Sequence, residues 1–108
     1  ERFLIKLLML KSTLTVQNLP EKLLLSFSGE LLLYEISKHQ IDIDALNIYS
    51  KKVIIDLNNL SSIDTAGAIF IAKLQRKFLL QNVDMDLVSQ NTQVNATLDL
   101  VSKYKISS

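Results

Sequence analysis

The pattern of apolar and polar residues divides the middle of the chain into a strand, a loop and a helix. Positions 53–55 read Val-Ile-Ile, and an uninterrupted β-branched run is typical of a strand buried on both faces. Asn58 and Asn59 interrupt the run, and the polar character continues through Ser62. We therefore predict a strand that ends at Leu57, then a polar loop, then a helix that begins at Thr65.

The predicted helix, 65–81, has two different faces. Apolar residues recur on one face at intervals of three and four: Gly67, Phe70, Ile71, Leu74 and Phe78. We expect this face to lie on a sheet. The opposite face carries Lys73 and Arg76 among four further apolar residues: Ile69, Ala72, Leu79 and Leu80. This outward apolar area indicates either a partner-binding surface or the scattered surface leucines that proteins ordinarily carry.

The flanking sequence predicts strands and helices on both sides of this unit. Segments 12–17 and 22–28 predict an antiparallel pair of strands, and a less regular helical stripe lies within 31–50. Alternation in 83–89 predicts a strand with one exposed side, and a last helix is predicted from Thr92, with Ser89 or Asn91 as its cap. One core is expected to hold Ile54, Phe70, Ile71, Leu74 and Leu98.

Length and composition limit the chain to one domain. With 108 residues, there is room for one core, which we assign to a domain over 12–108. Residues 1–11 are interpreted as an N-terminal extension, either upstream sequence or a segment that packs on a neighbour. Its apolar run, interrupted by Lys6, is far shorter than the ~20 residues that span a bilayer. A net charge of +1 provides no general attraction to nucleic acid.

Catalytic and metal-binding patterns are missing from the sequence. The chain has no cysteine, and glycine occurs only at positions 29 and 67, which is too few for a phosphate-binding loop. His39 is the only histidine; we expect it to be exposed on a helix and remote from any serine that it could activate. Asp84 and Asp86 are expected to be solvated on an exposed strand face. We predict a non-enzymatic chain without metal or cofactor.

The stretch 53–74, VIIDLNNLSSIDTAGAIFIAKL, resembles the central motif of the STAS domain family (sulfate transporter and anti-sigma factor antagonist). That motif is an apolar strand ending in Asp-Leu, a loop, and Asp-Ser/Thr-x-Gly at the start of a helix. The resemblance extends from about Thr13 to about Tyr104. It implies a small α/β domain with a mixed central β-sheet flanked by helices. The form Asp-Thr-Ala-Gly-Ala at 64–68 is most similar to STAS domains of Mla-type lipid-transport ABC permeases.

This resemblance implies a function in protein–protein interaction. The expected partners are the ATPase and permease subunits of a bacterial lipid transporter, contacted at the cytoplasmic face of the inner membrane. The alternative is an anti-sigma factor antagonist that binds a kinase-type anti-sigma factor. In such antagonists the residue after the Asp accepts a phosphate, and Thr65 occupies that position here.

The residue pair Asp64-Thr65 has two interpretations, which are compatible with each other. Either side chain is suited to capping the helix by accepting a backbone N–H, which contributes about 1 kcal/mol. Phosphate on Thr65 would add about −1.5 to −2 charge to the surface. We predict a partner-binding patch at the helix start and on its outer face: Asp64, Thr65, Ala68, Ile69, Ala72, Lys73 and Arg76.

Overall fold

The computed structural model describes residues 12–48 and 52–103. These residues form four strands, one 3₁₀ turn (Leu33–Glu35) and three helices. The strands are β1 (Ser12–Asn18), β2 (Leu23–Leu31), β3 (Lys52–Ile63) and β4 (Asp84–Val88). The helices are α1 (Ile36–Asp44), α2 (Thr65–Leu80) and α3 (Thr92–Ser102). The predicted extension 1–11 lies outside the described residues.

The four strands form one mixed sheet in the order β1-β2-β3-β4. β1 and β2 are antiparallel, with Leu14 opposite Phe27, as predicted from their alternation. β2–β3 and β3–β4 are parallel pairs. Parallel neighbours need a crossover connection; the α1 segment provides it between β2 and β3, and α2 provides it between β3 and β4. The expected small α/β domain with a mixed sheet is therefore confirmed.

β3 is longer than predicted, because it continues through the asparagine pair to Ile63. The pairing with β2 shifts register twice, between Ser26 and Ser28 and again between Gly29 and Glu30. Each shift places an additional β3 residue opposite β2, as in a β-bulge, which tolerates residues that a regular ladder disfavours. Gly29 has φ 87° at the second shift, a conformation that favours glycine. The predicted loop after Leu57 is therefore wrong.

The core lies on one face of the sheet, where the helices cover it. Val53, Ile55 and Leu57 of β3 are fully buried there together with Phe27 of β2. Ile54 points to the other face and is only half-buried, so the prediction of a strand buried on both faces is wrong. The helices contribute to the same core through Ile43, Phe70, Ile71, Leu74, Phe78, Val94 and Val101, with Leu98 packed against it.

The helices begin and end where local signals place them. The predicted apolar face of α2 is buried. Asn82, with φ 58°, follows the end of α2, and the Val83 N–H donates to the Phe78 carbonyl at 2.9 Å. Many helices end in this way, with a residue in the left-handed conformation followed by a backbone hydrogen bond that closes the last turn. At the start of α3, Asn91 accepts hydrogen bonds from the N–H groups of Gln93 and Val94, so it is the cap.

Candidate functional site

Asp64 joins two loops at the start of α2. Its Oδ1 accepts a hydrogen bond from the Gly67 N–H at 2.7 Å, which caps the helix. Its Oδ2 accepts a second hydrogen bond from the Leu33 N–H at 2.9 Å. The expected capping role is confirmed, and the link to the 3₁₀ turn is new. Because both carboxylate oxygens bind backbone N–H groups, Asp64 holds the two segments together rather than serving as a free acid.

Gly67 allows the first turn of α2 to lie directly against the end of β2. A Cβ at this position would overlap the Leu31 carbonyl oxygen and lie 2.8 Å from Cγ1 of Ile63. Backbone atoms cannot yield as a flexible side chain can, so only glycine fits without displacing the chain. This close approach sets the distance between α2 and the 3₁₀ turn that follows β2.

Thr65 is the first residue of α2, and its side chain is exposed. The unpaired N–H groups of the first helical turn give this end of α2 a partial positive charge. This partial charge would favour a phosphate on Thr65, whereas the adjacent Asp64 carboxylate, which caps the helix, would oppose it. The structure thus leaves the predicted phosphorylation position sterically accessible.

The predicted contact patch on α2 is only partly at the surface. Lys73 and Arg76 are exposed, and Ile69 is half-buried. Ala68 is completely buried, so its assignment to the patch is wrong, and Ala72 is half-buried against the core rather than exposed. At 100° per residue, these two alanines lie on the flank of α2 opposite Ala66, and they belong to the core or pack against it.

The accessible flank of α2 forms a groove with the segment that follows β2. The groove has a volume of about 280 Å³ and is called the α1–α2 groove below; it is lined by Leu33, Ile36, Gln40, Ala66, Ile69, Phe70 and Lys73. Two of the most exposed large side chains lie at this place in the chain: Leu33 of the groove lining (60% exposed) and the next residue, Tyr34 (89% exposed). Apolar area of this kind next to an accessible helix start is characteristic of an interaction surface.

The family is decided by the extent of the sequence match. The sequence profile of the STAS domain matches residues 13–107, which is nearly the whole chain. This chain belongs to the STAS domain family. Comparison with curated proteins gives no match.

Solved structures of several different proteins share the fold of this chain. An anti-sigma factor antagonist from Mycobacterium paratuberculosis is 18% identical with a TM-score of 0.74, over 85% of this chain and 79% of that one. Unphosphorylated SpoIIAA, another anti-sigma factor antagonist, is 14% identical with a TM-score of 0.69, over 83% and 81%. SLC26A9 is 11% identical with a TM-score of 0.59, over 92% of this chain but only 22% of that protein. At these identities the likeness shows the fold alone.

The sequence did not lead us to assign Leu33 and Tyr34 to the candidate interaction surface. The run Leu31–Tyr34 has four consecutive apolar residues, more than the end of one strand needs. Leu31 is buried, whereas Leu33 and Tyr34 are exposed. This excess of apolar residues next to a turn could have indicated an exposed apolar surface. The position of that surface beside α2, however, depends on the hydrogen bond from the Leu33 N–H to Asp64, 31 residues away.

His39 is buried in this STAS domain, contrary to the prediction that it is exposed. It is 1% accessible, and its Nε2 lies 2.7 Å from the Ser12 Oγ. The Ser12 hydroxyl donates to Oε1 of Glu35 at 2.9 Å, and the ring of Phe27 packs edge-on at 5.5 Å. The prediction that no serine lies near His39 is therefore also wrong.

This Ser12–Glu35–His39 cluster does not have the order of a catalytic triad. Glu35 binds the serine rather than the second histidine nitrogen, whereas a triad acid orients the base from that side. Ser12 is 5% accessible, so a substrate carbonyl has no route to its hydroxyl. Instead the cluster attaches the start of β1 to α1, with the Lys38 Nζ donating to the Ser12 carbonyl at 3.0 Å.

Two basic side chains have altered pKa values for clear reasons. Burial lowers the pKa of His39, since the charged ring would lose its water, and the neighbouring Lys38 lowers it further. The hydrogen bond that Lys52 donates to Asp86, together with the negative charge of that carboxylate, raises the pKa of Lys52. The Lys52 Nζ lies 3.1 Å from Asp86 and 3.9 Å from Asp84. Both aspartates are exposed, as predicted.

Over residues 12–48 and 52–103, no group of three His, Asp or Glu side chains could hold a metal ion. No helix in the same part of the chain is long and apolar enough to cross a membrane.

Proposed function

We propose that this STAS domain is the interaction domain of a bacterial ABC-type lipid-transport permease system. It would contact the ATPase and permease subunits at the cytoplasmic face of the inner membrane, without catalysing a reaction itself. The proposal of a lipid transporter rests on the Asp-Thr-Ala-Gly-Ala form at 64–68 and its resemblance to the Mla-type group. Because STAS domains are in general non-catalytic, the function is expected to reside in the surface.

The observation that carries the proposal is the exposed apolar surface beside the start of α2. Leu33 and Tyr34 expose most of their side chains, although they belong to a turn that Asp64 holds in one position. Apolar side chains fixed in water lower the free energy of association when a partner covers them. Thr65 borders the same surface and is itself exposed.

Co-expression with candidate partners tests this proposal. The chain is produced together with the ATPase and permease subunits of an ABC-type lipid transporter from the same organism and is then captured by an affinity tag. We expect the wild type to retain them, and Tyr34→Glu to reduce the retained amount at least tenfold because a charge is buried unpaired. Leu100→Glu is the matched control, since Leu100 is 50% exposed on α3, away from this surface. Equal retention by both variants would contradict the proposal.

The second candidate is an anti-sigma factor antagonist regulated at Thr65. Two specific observations favour it: two of the similar structures are antagonists, and the Thr65 side chain is exposed at the helix start. Incubation with a kinase-type anti-sigma factor and ATP should then add one phosphate, detectable by mass spectrometry and abolished in Thr65→Val. If the ATPase is retained and no phosphate is added, the transporter function is favoured.

A further inference from the structure

The α1–α2 groove has the dimensions of a helix-binding site. Its α2 wall consists of Ala66, Ile69 and Lys73, spaced i, i+3 and i+7, which corresponds to about 10 Å along the helix axis. Leu33, Ile36 and Gln40 form the facing wall with the same spacing. Two turns of an incoming helix would place a row of two or three apolar side chains between these walls.

The backbone of the groove disfavours an extended partner. Both walls are helical, so apart from the first N–H groups of α2 their backbone groups are hydrogen-bonded within α1, α2 and the 3₁₀ turn. A strand laid in the groove would leave most of its own N–H and C=O groups without partners, which is unfavourable where water is displaced. A helix satisfies its backbone internally and presents only side chains.

Lys73 is the positive charge that borders the groove. It is exposed, and among the described residues no carboxylate lies within salt-bridge distance of it. The partial positive charge at the N-terminus of α2 is already offset by the Asp64 carboxylate, which accepts two backbone N–H groups there. The carboxylate of Asp44 is also engaged, since it binds Lys77 at 3.4 Å and accepts a hydrogen bond from Gln40 at 2.9 Å.

We propose that the α1–α2 groove binds an amphipathic helix of the partner protein, with an apolar row in the groove and acidic residues facing Lys73. This inference rests on the proposed interaction function and specifies the chemistry of the partner. A second copy of the chain is less complementary, because its own groove carries the same positive Lys73 rather than an acidic side chain.

Two synthetic helical peptides test the charge and the helix separately from any natural partner. Both carry the same row of leucines; one has glutamates beside the row and the other has lysines. In an NMR titration of the full chain, the acidic peptide is expected to shift the signals of Leu33, Ile36 and Ile69. The basic peptide is expected to bind about two- to fivefold more weakly, as the loss of an exposed ion pair with Lys73 implies.

Charge reversal provides the matched variants. Lys73→Glu should weaken binding of the acidic peptide about fivefold or more and strengthen binding of the basic peptide. Lys103→Glu, at an exposed position just after α3, should change the affinity of neither peptide. Equal binding of the two peptides, binding of neither, or shifts that map outside the groove would overturn the inference. So would concentration-dependent dimers of the chain that Lys73→Glu abolishes.

The two proposals fail in different ways. If the natural ATPase or permease is retained but the peptides do not bind at the groove, the interaction function stands and the acidic helix is wrong. If the acidic peptide binds at the groove but no transporter subunit is retained, the chemistry of the groove stands and the lipid-transporter assignment is wrong.

Discussion

Replacing Asp64 with alanine tests whether one carboxylate holds the functional surface together. The substitution removes the hydrogen bond that caps α2 through Gly67 and the hydrogen bond that holds Leu33. Asp64 is half-buried, and its side chain is short enough that alanine creates little cavity. The change in the free energy of unfolding therefore reports the two hydrogen bonds rather than packing.

The expected loss follows from the two contacts. An N-cap contributes about 1 kcal/mol. A hydrogen bond to a charged group contributes about 1.5–3 kcal/mol when it is sheltered; Leu33 is 60% exposed, so water replaces part of this, and about 1 kcal/mol is a fair value. Asp64→Ala should therefore lower the free energy of unfolding by about 2 kcal/mol. Asp64→Ser, whose single oxygen caps the helix without reaching Leu33, should lose about half as much.

Urea denaturation followed by circular dichroism measures these differences. Asp99→Ala is the control, because Asp99 is exposed on α3 and should change stability by less than about 0.5 kcal/mol. Hydrogen exchange of the Leu33 amide should accelerate in both Asp64 variants. If Asp64→Ala matches the control, or if the Leu33 amide exchanges at the wild-type rate, the carboxylate does not join the two segments.

Two further predictions concern the core and the buried histidine. Ile55→Ala should cost about 2–5 kcal/mol because Ile55 is fully buried, and Ile54→Ala less than half of that because Ile54 is half-buried; equal losses in urea denaturation would contradict the assigned register. The pKa of His39 is lowered in the folded chain, so as the pH falls His39 is protonated in the unfolded chain at a higher pH than in the folded chain. Stability should be complete above about pH 6.5 and decrease below it, by at most about 1.4 kcal/mol per pH unit. His39→Gln should give a flatter profile between pH 7.5 and 5, and an unchanged slope would refute this origin.

The features predictable from sequence are those decided by neighbours along the chain. The apolar face of α2 repeats within a few residues, and the caps Asp64 and Asn91 act on the N–H groups two or three positions later. The antiparallel pair of β1 and β2 is joined by a short turn. Local chemistry is sufficient in each case, so single-sequence patterns identify these elements correctly.

The errors arose where distant pairing decided the outcome. The asparagine pair in β3 is accommodated by bulges against β2, about thirty residues earlier, which no local pattern contains. His39 is buried because Ser12, 27 residues earlier, provides its hydrogen-bond partner. Ala68 was assigned to the surface although it is completely buried, because a small side chain gives little indication of which face of a helix is covered. A polar residue such as His39 is compatible with burial only through a specific tertiary contact.

Two contacts connect α2 to the segments on the other side of the α1–α2 groove: Asp64 accepts a hydrogen bond from Leu33, and Lys77 pairs with Asp44. Both contacts favour one spacing of the groove walls in the free chain. A surface that is already ordered loses less conformational entropy on binding, so it retains more of its contact free energy as affinity. Walls that favour one spacing also favour side chains of one size, since overfilling a packed space causes strain. Pre-organisation of this kind would make a small surface selective for its partner.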